Sequence, residues 1–111
     1  MYVSNSHRTY ARSSKGFNAY LTALDVNGVL LWRSRSLVSN ASNFVVLDDA
    51  IIAGYGFTAE PDYLYVINRH DGWIIHTIKL RSGPDYILLQ GDRLFVRTYD
   101  TDYIFRVLRS N

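Results

Sequence analysis

The amino-acid sequence predicts an all-β protein built from repeated antiparallel hairpins. Residues 20–32 read YLTALDVNGVLLW, and a degraded copy returns at residues 63–76 as YLYVINRHDGWIIH. A shortened third copy begins at Tyr103. The first two copies each hold an alternating run, a polar turn that closes on Gly28 or Gly72, and a second apolar run. Asn-Gly and Asp-Gly turns between such runs are typical of β-hairpins, and no helical periodicity competes with them.

The spacing of the copies predicts β-propeller blades. The copies start 43 and 40 residues apart, and a period of about 40 to 50 residues is typical of architectures in which each four-stranded antiparallel blade is one repeat. We expect about two and a half blades: an incomplete blade at 1–37, a complete blade at 44–80 and an incomplete blade at 86–108. Closed propellers have about 4 to 8 blades, so the prediction is a partial propeller, either part of a longer chain or completed by further copies.

Ten strands are expected, in groups of three, four and three. Residues 2–5 resemble 51–55 and 94–98, the strand before each hairpin, so the first blade lacks its innermost strand. Polar connections are expected at 7–18, 38–43, 56–62, 81–85 and 100–102. Pro61 supports the third of these, because proline cannot donate to a ladder. The predicted strands are 2–5, 20–26, 29–37, 44–47, 50–55, 63–69, 73–80, 86–89, 93–99 and 103–108.

Strand 73–80 is apolar on both of its faces. Ile74, His76 and Ile78 alternate with Ile75 and Thr77. A sheet with one wet face alternates apolar and polar residues more cleanly, whereas a blade between two neighbours buries both faces. We therefore expect the sheets to stack.

Composition limits the classes of function. The chain has 111 residues, of which 48% are hydrophobic, enough for one small domain with a core. Twelve basic and ten acidic residues are spread along it, so we expect no nucleic-acid partner. With no cysteine, it has no disulfide, cysteine-based zinc site or thiol nucleophile. It contains no apolar run long enough for a membrane span and no signal peptide, and localisation stays open.

Few residues suggest catalytic chemistry. The histidines have no metal-ligand spacing, and we interpret them as turn or packed residues: His7, His70 and His76. Four aspartates could approach one another and bind a cation, although turn-forming roles explain them as well: Asp62, Asp85, Asp100 and Asp102. Aromatic residues near loops could form a platform for a carbohydrate or peptide, although cross-strand pairing also explains them: Tyr10, Phe17, Tyr55 and Tyr99.

The first hairpin carries a recognisable motif. Ala23, Asp25, Gly28 and Trp32 resemble the A-x-D-x-x-x-G-x-x-x-W tryptophan-docking motif of PQQ-like (quinoprotein) β-propellers, with one residue fewer between the acid and the glycine. The second copy keeps the full spacing, with Val66, Asn68, Gly72 and His76 at the motif positions. The resemblance implies an architectural role, in which Trp32 packs on the neighbouring blade and Asp25 ties down the turn. The residues of this structural motif are Ala23, Asp25, Gly28, Trp32, Asn68 and Gly72.

The resemblance implies a binding scaffold more than an enzyme. Enzymatic members of the family use pyrroloquinoline quinone with calcium, and some carry an adjacent cysteine pair that this chain lacks. We therefore predict a non-catalytic segment that mediates protein–protein or ligand interaction, with no catalytic, cofactor or metal residue assigned. A fragment of a quinone-dependent dehydrogenase and a short chain that self-assembles into a ring are the alternatives. Family members lean towards an extracytoplasmic or periplasmic location.

The predicted binding surface is the end of the blades that carries the long loops, because function tends to lie on loops above a rigid scaffold. Loop 7–18 combines cations with aromatic rings, and we expect it to contact a protein or polar ligand through Arg8, Tyr10, Arg12, Lys15 and Phe17. Incomplete blades also leave unpaired strand edges, which pair readily with other chains. Self-association is expected through these edges.

Overall fold

The computed structural model describes residues 1–5, 19–39, 43–57, 60–98 and 100–108. These residues form three antiparallel sheets and contain no helix, so the all-β prediction is confirmed. The first sheet contains β1 (Tyr2–Asn5), β2 (Tyr20–Leu24) and β3 (Leu30–Arg33). The middle sheet contains β4 (Val45–Leu47), β5 (Ala50–Phe57), β6 (Glu60–Asn68) and β7 (Ile74–Lys79). The third sheet contains β8 (Pro84–Gln90), β9 (Arg93–Thr98) and β10 (Asp102–Arg106).

Each sheet is a meander in which strands that follow one another in the chain lie side by side. The strand orders are β1-β2-β3, β4-β5-β6-β7 and β10-β9-β8. In the part of the chain that the structure describes, the predicted grouping into three, four and three strands is therefore confirmed. Short turns join most neighbouring strands, so most of the pairing is local in sequence.

The three sheets stack face to face, with the middle sheet between the other two. In the first and middle sheets, we call the face that points towards the following sheet the front face and the opposite face the back face. In the third sheet, the back face is the one that packs on the middle sheet, and the front face is the opposite one. The front of the first sheet packs on the back of the middle sheet, and the middle sheet's front packs on the third sheet's back. The first core comprises Ala19, Leu21, Val38, Ile51, Ala53, Tyr55, Tyr65 and Ile67. The second comprises Ile52, Leu64, Leu80, Ile87, Leu94 and Val96.

Both faces of β5 are buried, as expected for a strand between two sheets, but those of β7 are not. Residues 51 to 55 of β5 are all buried, because this strand lies inside the middle sheet and has a sheet on each side. In β7, Ile75, His76 and Thr77 are exposed, and only Ile74 and Ile78 are half-buried. The prediction from the apolar pattern of β7 was wrong, because β7 is the edge strand of its sheet.

The predicted loop at 56–62 was also wrong for its described residues, which lie in strands. β5 continues to Phe57, and β6 begins at Glu60. Phe57 pairs with Glu60 while Tyr55 pairs with Tyr63, so two residues of β6 face the single Gly56 of β5. This β-bulge accommodates Pro61 inside a strand, since a bulge leaves one residue outside the regular ladder.

The boundaries of β3 and β8 also differ from the prediction. β3 ends at Arg33 rather than near Leu37, and Leu37 adopts a positive φ of 64°, which does not fit an extended strand. After Arg33, the Ser34 hydroxyl accepts a hydrogen bond from the Leu21 amide. β8 begins at Pro84, inside the predicted 81–85 connection, and proline is tolerated there because it is the first residue of an edge strand.

The middle and third sheets pack tightly against each other at Gly54. A Cβ atom at this position would lie 2.5 Å from Cγ of the buried Pro84. Real Cβ contacts are not this short, so the absence of a side chain at Gly54 allows the Pro84 ring to pack on β5.

Candidate functional site

Trp32 joins the first sheet to the middle sheet. Its indole Nε1–H donates a hydrogen bond of 2.8 Å to the backbone carbonyl of Arg69, in the turn between β6 and β7. The indole also lies over Gly72, where a Cβ atom would come within 2.5 Å of the ring carbon Cε3. Gly72 has a φ of 79°, which other residues rarely adopt. Space and backbone conformation both require glycine beneath the ring.

The first two hairpins close on side-chain oxygens at equivalent positions. Asp25 Oδ1 accepts backbone hydrogen bonds from Asn27 and Val29, at 2.8 and 2.9 Å. Asn68 Oδ1 accepts one from His70 at 2.8 Å. Asp and Asn stabilise turns in this way because their short side chains reach the backbone two residues ahead.

A β-bulge at the same place in both hairpins fixes the face on which Trp32 lies. The pairing of β2 with β3 shifts between Ala23 and Leu24, and that of β6 with β7 shifts between the equivalent Val66 and Ile67. The hairpins differ in length by one residue, and that residue lies in the turn beyond the bulge. Because the difference in length lies in the turn, it does not change the pairing of Trp32 with Ala23. The Trp32 side chain therefore still points towards the middle sheet.

Arg69 is a second link between these sheets, and the sequence analysis missed it. Its Nε donates to the Tyr2 hydroxyl at 2.7 Å, and its Nη1 donates to the Asp48 carbonyl at 3.0 Å. The Tyr2 ring in turn lies 6.0 Å from the Trp32 ring. These partners are far from Arg69 in the chain, so no local pattern reveals them.

A groove of about 440 Å³ lies beside Gly72, between the end of β3 and the beginning of β7. Trp73 is 75% exposed there, and its amide donates to Asp71 Oδ1 at 2.9 Å. Burial raises the pKa of the neighbouring Tyr65 hydroxyl, and the Arg35 guanidinium opposes this rise. The hydroxyl therefore stays protonated at neutral pH. The groove is lined by Arg33, Arg35, Asp71, Gly72, Trp73 and Ile74.

The four aspartates suggested as a cation site do not converge. The residues that the structure describes contain no group of three or more His, Cys, Asp or Glu that could hold a metal ion. Asp102 pairs instead with Arg97 at 3.2 Å. Asp100 accepts hydrogen bonds from the hydroxyls of Ser82 and Thr101, which lower its pKa.

The Asp62 carboxyl group lies in an environment that disfavours its charged form. Its Oδ1 is buried and accepts no hydrogen bond from the described residues. Burial raises the pKa of this carboxyl group, while the positive charge of Lys79 acts in the opposite direction. A Cβ atom at Gly56 would overlap with Oδ1, so the glycine opposite the bulge makes room for the carboxylate.

The other predicted candidates are dispersed. Tyr55 is 3% exposed inside the first core, so it cannot serve as an accessible platform. His70 Nε2 lies 3.1 Å from Asp49 Oδ1 on the surface, and His76 is exposed rather than packed. The remaining candidates lie outside the described residues, where their roles stay predictions: His7, Arg8, Tyr10, Arg12, Lys15, Phe17 and Tyr99.

Asn43 joins the middle sheet to the third sheet, and the sequence predicted it only as a connection. Its Nδ2 donates to the Ile87 carbonyl at 2.6 Å, and its Oδ1 accepts from the Ile87 amide at 2.8 Å. One side-chain amide thus satisfies both backbone groups of a residue on the edge strand β8. The contact spans 44 positions in the chain.

The front face of the third sheet carries an exposed apolar patch beside the ion pair of Arg97 and Asp102. Ile104 is 65% exposed, Tyr86 49% and Leu88 39%, and they surround the half-buried Phe95. Cross-strand pairing places these side chains together, because Phe95 lies opposite both Leu88 and Ile104. They line a shallow hollow of about 380 Å³.

No protein-family model matches this sequence, and no curated protein is significantly similar to it. Within the described ranges there is also no helix with the length and apolarity needed to cross a membrane. Function is therefore inferred from the geometry of the sheets.

Proposed function

We propose that the chain is a non-catalytic scaffold segment of a PQQ-like β-propeller and that it acts by binding another protein. The observation that carries this proposal is the exposed apolar patch on the front face of the third sheet. Contiguous exposed apolar patches mark interaction sites in soluble proteins. Face-to-face stacking of antiparallel sheets, with Trp32 seated on the next sheet, supports a propeller-like arrangement.

Equivalent positions in the repeated sequence show that the corresponding face is covered in the other two sheets. Leu21, Leu64 and Ile104 follow Tyr20, Tyr63 and Tyr103 and so hold the same position in their sheets. Leu21 is 0% exposed and Leu64 is 1% exposed, because each front face is covered by the next sheet. Ile104 has the same kind of side chain at the same position without such a cover.

We take the occupant of this face to be a further β-sheet. Both covered front faces pack on the back face of another sheet, and the third front face has the same strand arrangement. A second copy of the chain is one source, since the back of its first sheet exposes Val3 and Leu30. Such a contact joins two different surfaces, so repeated contacts generate rings or filaments.

Replacing Ile104 with Lys tests the face, because burying an unpaired ammonium group in an apolar contact is costly. We expect the molar mass of the wild-type chain, measured by light scattering, to rise with concentration and that of Ile104→Lys to remain monomeric. Val26→Lys is the matched control, because Val26 is 98% exposed in a turn outside this face. Circular dichroism checks that both variants fold.

Two outcomes would reject parts of this proposal. A wild-type chain that stays monomeric at high micromolar concentration rules out self-assembly. Association of Ile104→Lys at the wild-type concentration rules out the third sheet's front face as the contact.

The dehydrogenase alternative requires calcium beside the quinone. Calcium takes about six to eight oxygen ligands, and no group of three or more His, Cys, Asp or Glu that could hold a metal ion is present among the described residues. We assign no step to the quinone. Dye-linked alcohol oxidation after addition of pyrroloquinoline quinone and calcium would overturn the non-catalytic proposal.

A further inference from the structure

The groove beside Gly72 is lined by two arginines and one aspartate. Ion pairs within 4.0 Å join Arg97 and Arg106 to aspartates. Neither Arg33 nor Arg35 has such a partner among the described residues, although both line the groove. Asp71 also lines the groove, and its Oδ1 accepts a hydrogen bond from the Trp73 amide.

Both guanidinium groups are held in place by aromatic rings. The central carbon of the Arg35 guanidinium lies 5.2 Å from the Tyr65 ring centroid, and Nη2 donates to the Tyr65 hydroxyl at 3.1 Å. The Arg33 guanidinium lies 4.8 Å from the Tyr20 ring centroid, and its Nε donates to the Thr22 hydroxyl at 3.4 Å, so this group lies on the back face of the first sheet. A guanidinium has five N–H donors, so most of those of Arg35 remain for a ligand. Groups held before binding lose less conformational entropy when the ligand arrives.

Trp73 adds an apolar wall to the same groove. Its side chain is largely exposed, although tryptophan usually buries much of its large ring surface. The turn fixes its backbone through Asp71 and the adjacent Gly72. An aromatic or aliphatic group placed on the indole would remove apolar surface from water, which favours binding.

We propose that this groove binds a carboxylic acid that bears an apolar or aromatic group. The carboxylate pairs with the guanidinium group of Arg35, whose planar donor set matches carboxylate geometry. The apolar part of the ligand lies on Trp73. The volume of about 440 Å³ is within the range of small-ligand sites. This site is separate from the third sheet's front face.

Phenylacetate is a suitable probe because it combines a carboxylate with one aromatic ring. Titration into the 15N-labelled chain should give saturable shifts of the Gly72 and Ile74 amide signals, which report on the groove without depending on a ligand-binding side chain. We expect Arg35→Gln and Trp73→Ala each to weaken binding at least about tenfold, a loss of about 1.4 kcal/mol.

Arg81→Gln is the matched control, since it removes the same charge from the connection between the middle and third sheets. Its affinity should equal that of the wild type, and unchanged signals from the cores show that each variant is folded. Inorganic phosphate tests the role of the apolar group. No saturable shift in the wild-type chain, wild-type affinity in Arg35→Gln, or equal affinity for phosphate and phenylacetate would overturn the proposal.

Discussion

At the scale of single residues, Trp32 makes two separable contributions to the contact between sheets. Its N–H satisfies the Arg69 carbonyl, and its ring covers Gly72. Trp32→Phe removes the hydrogen bond and keeps most of the ring, so we expect a loss of about 1 kcal/mol in the free energy of unfolding. Trp32→Ala removes both, and we expect about 2 kcal/mol, because the indole is only half-buried. Denaturant unfolding followed by circular dichroism measures both values.

Trp73→Phe provides the control for this prediction. Trp73 is mostly exposed, so its replacement should change stability by no more than about 0.5 kcal/mol. Equal effects at Trp32 and Trp73 would contradict the role assigned to the Trp32 indole.

Single residues also differ in whether their roles could be predicted from the sequence. The turn glycines were predictable, because a hairpin pattern locates a residue that needs positive φ, and Gly28 and Gly72 have φ values of 81° and 79°. Asn43 was not predictable, because its partner Ile87 is 44 positions away and a side chain that bonds a distant backbone leaves no periodic trace. The role of Arg35 was missed for the same reason, since its aromatic support Tyr65 lies in another sheet.

At the scale of strands, Gly54 is a point of tight packing between the middle and third sheets. Gly54→Ala adds a methyl group against the Pro84 ring, where no space exists. We expect a loss of about 1 to 3 kcal/mol, as is usual when a packed interior is overfilled. Denaturant unfolding measures the loss.

A double-mutant cycle with Pro84→Gly tests the cause of this loss. The second substitution removes the ring, so the added cost of Gly54→Ala should shrink in that background. Equal costs in both backgrounds would show that the backbone of β5, rather than the Pro84 ring, resists the change.

The strands also explain which boundaries could be predicted. Alternating runs and turn pairs located all three sheets, because those signals are local. The end of β5 and the start of β6 were missed, since a bulge opposite Gly56 allows a proline inside a strand. The exposure of β7 was missed because an apolar run does not reveal whether its strand lies at a sheet edge.

At the scale of the whole molecule, the stacked sheets protect the backbone amides of different strands from solvent to different degrees. β5 has a paired strand on each side and a sheet on each face, whereas β1 and β10 each pair with one strand in the described part of the chain. We expect the amides of β5 to exchange with deuterium most slowly and those of β1 and β10 to exchange much faster. Residue-resolved hydrogen exchange measures this order. Uniform protection across the three sheets would show instead that the stack opens only as one unit.

The bulge shared by the first two hairpins has a consequence for how the gene can change. Turn length varies by one residue between these hairpins without altering which way the following side chains point. A single codon gained or lost beyond the bulge is therefore tolerated, while the same change within a strand would reverse every later side chain. Duplication of a segment of about forty codons, matching the copy spacing of 40 to 43 residues, would add a sheet whose two faces already fit its neighbours.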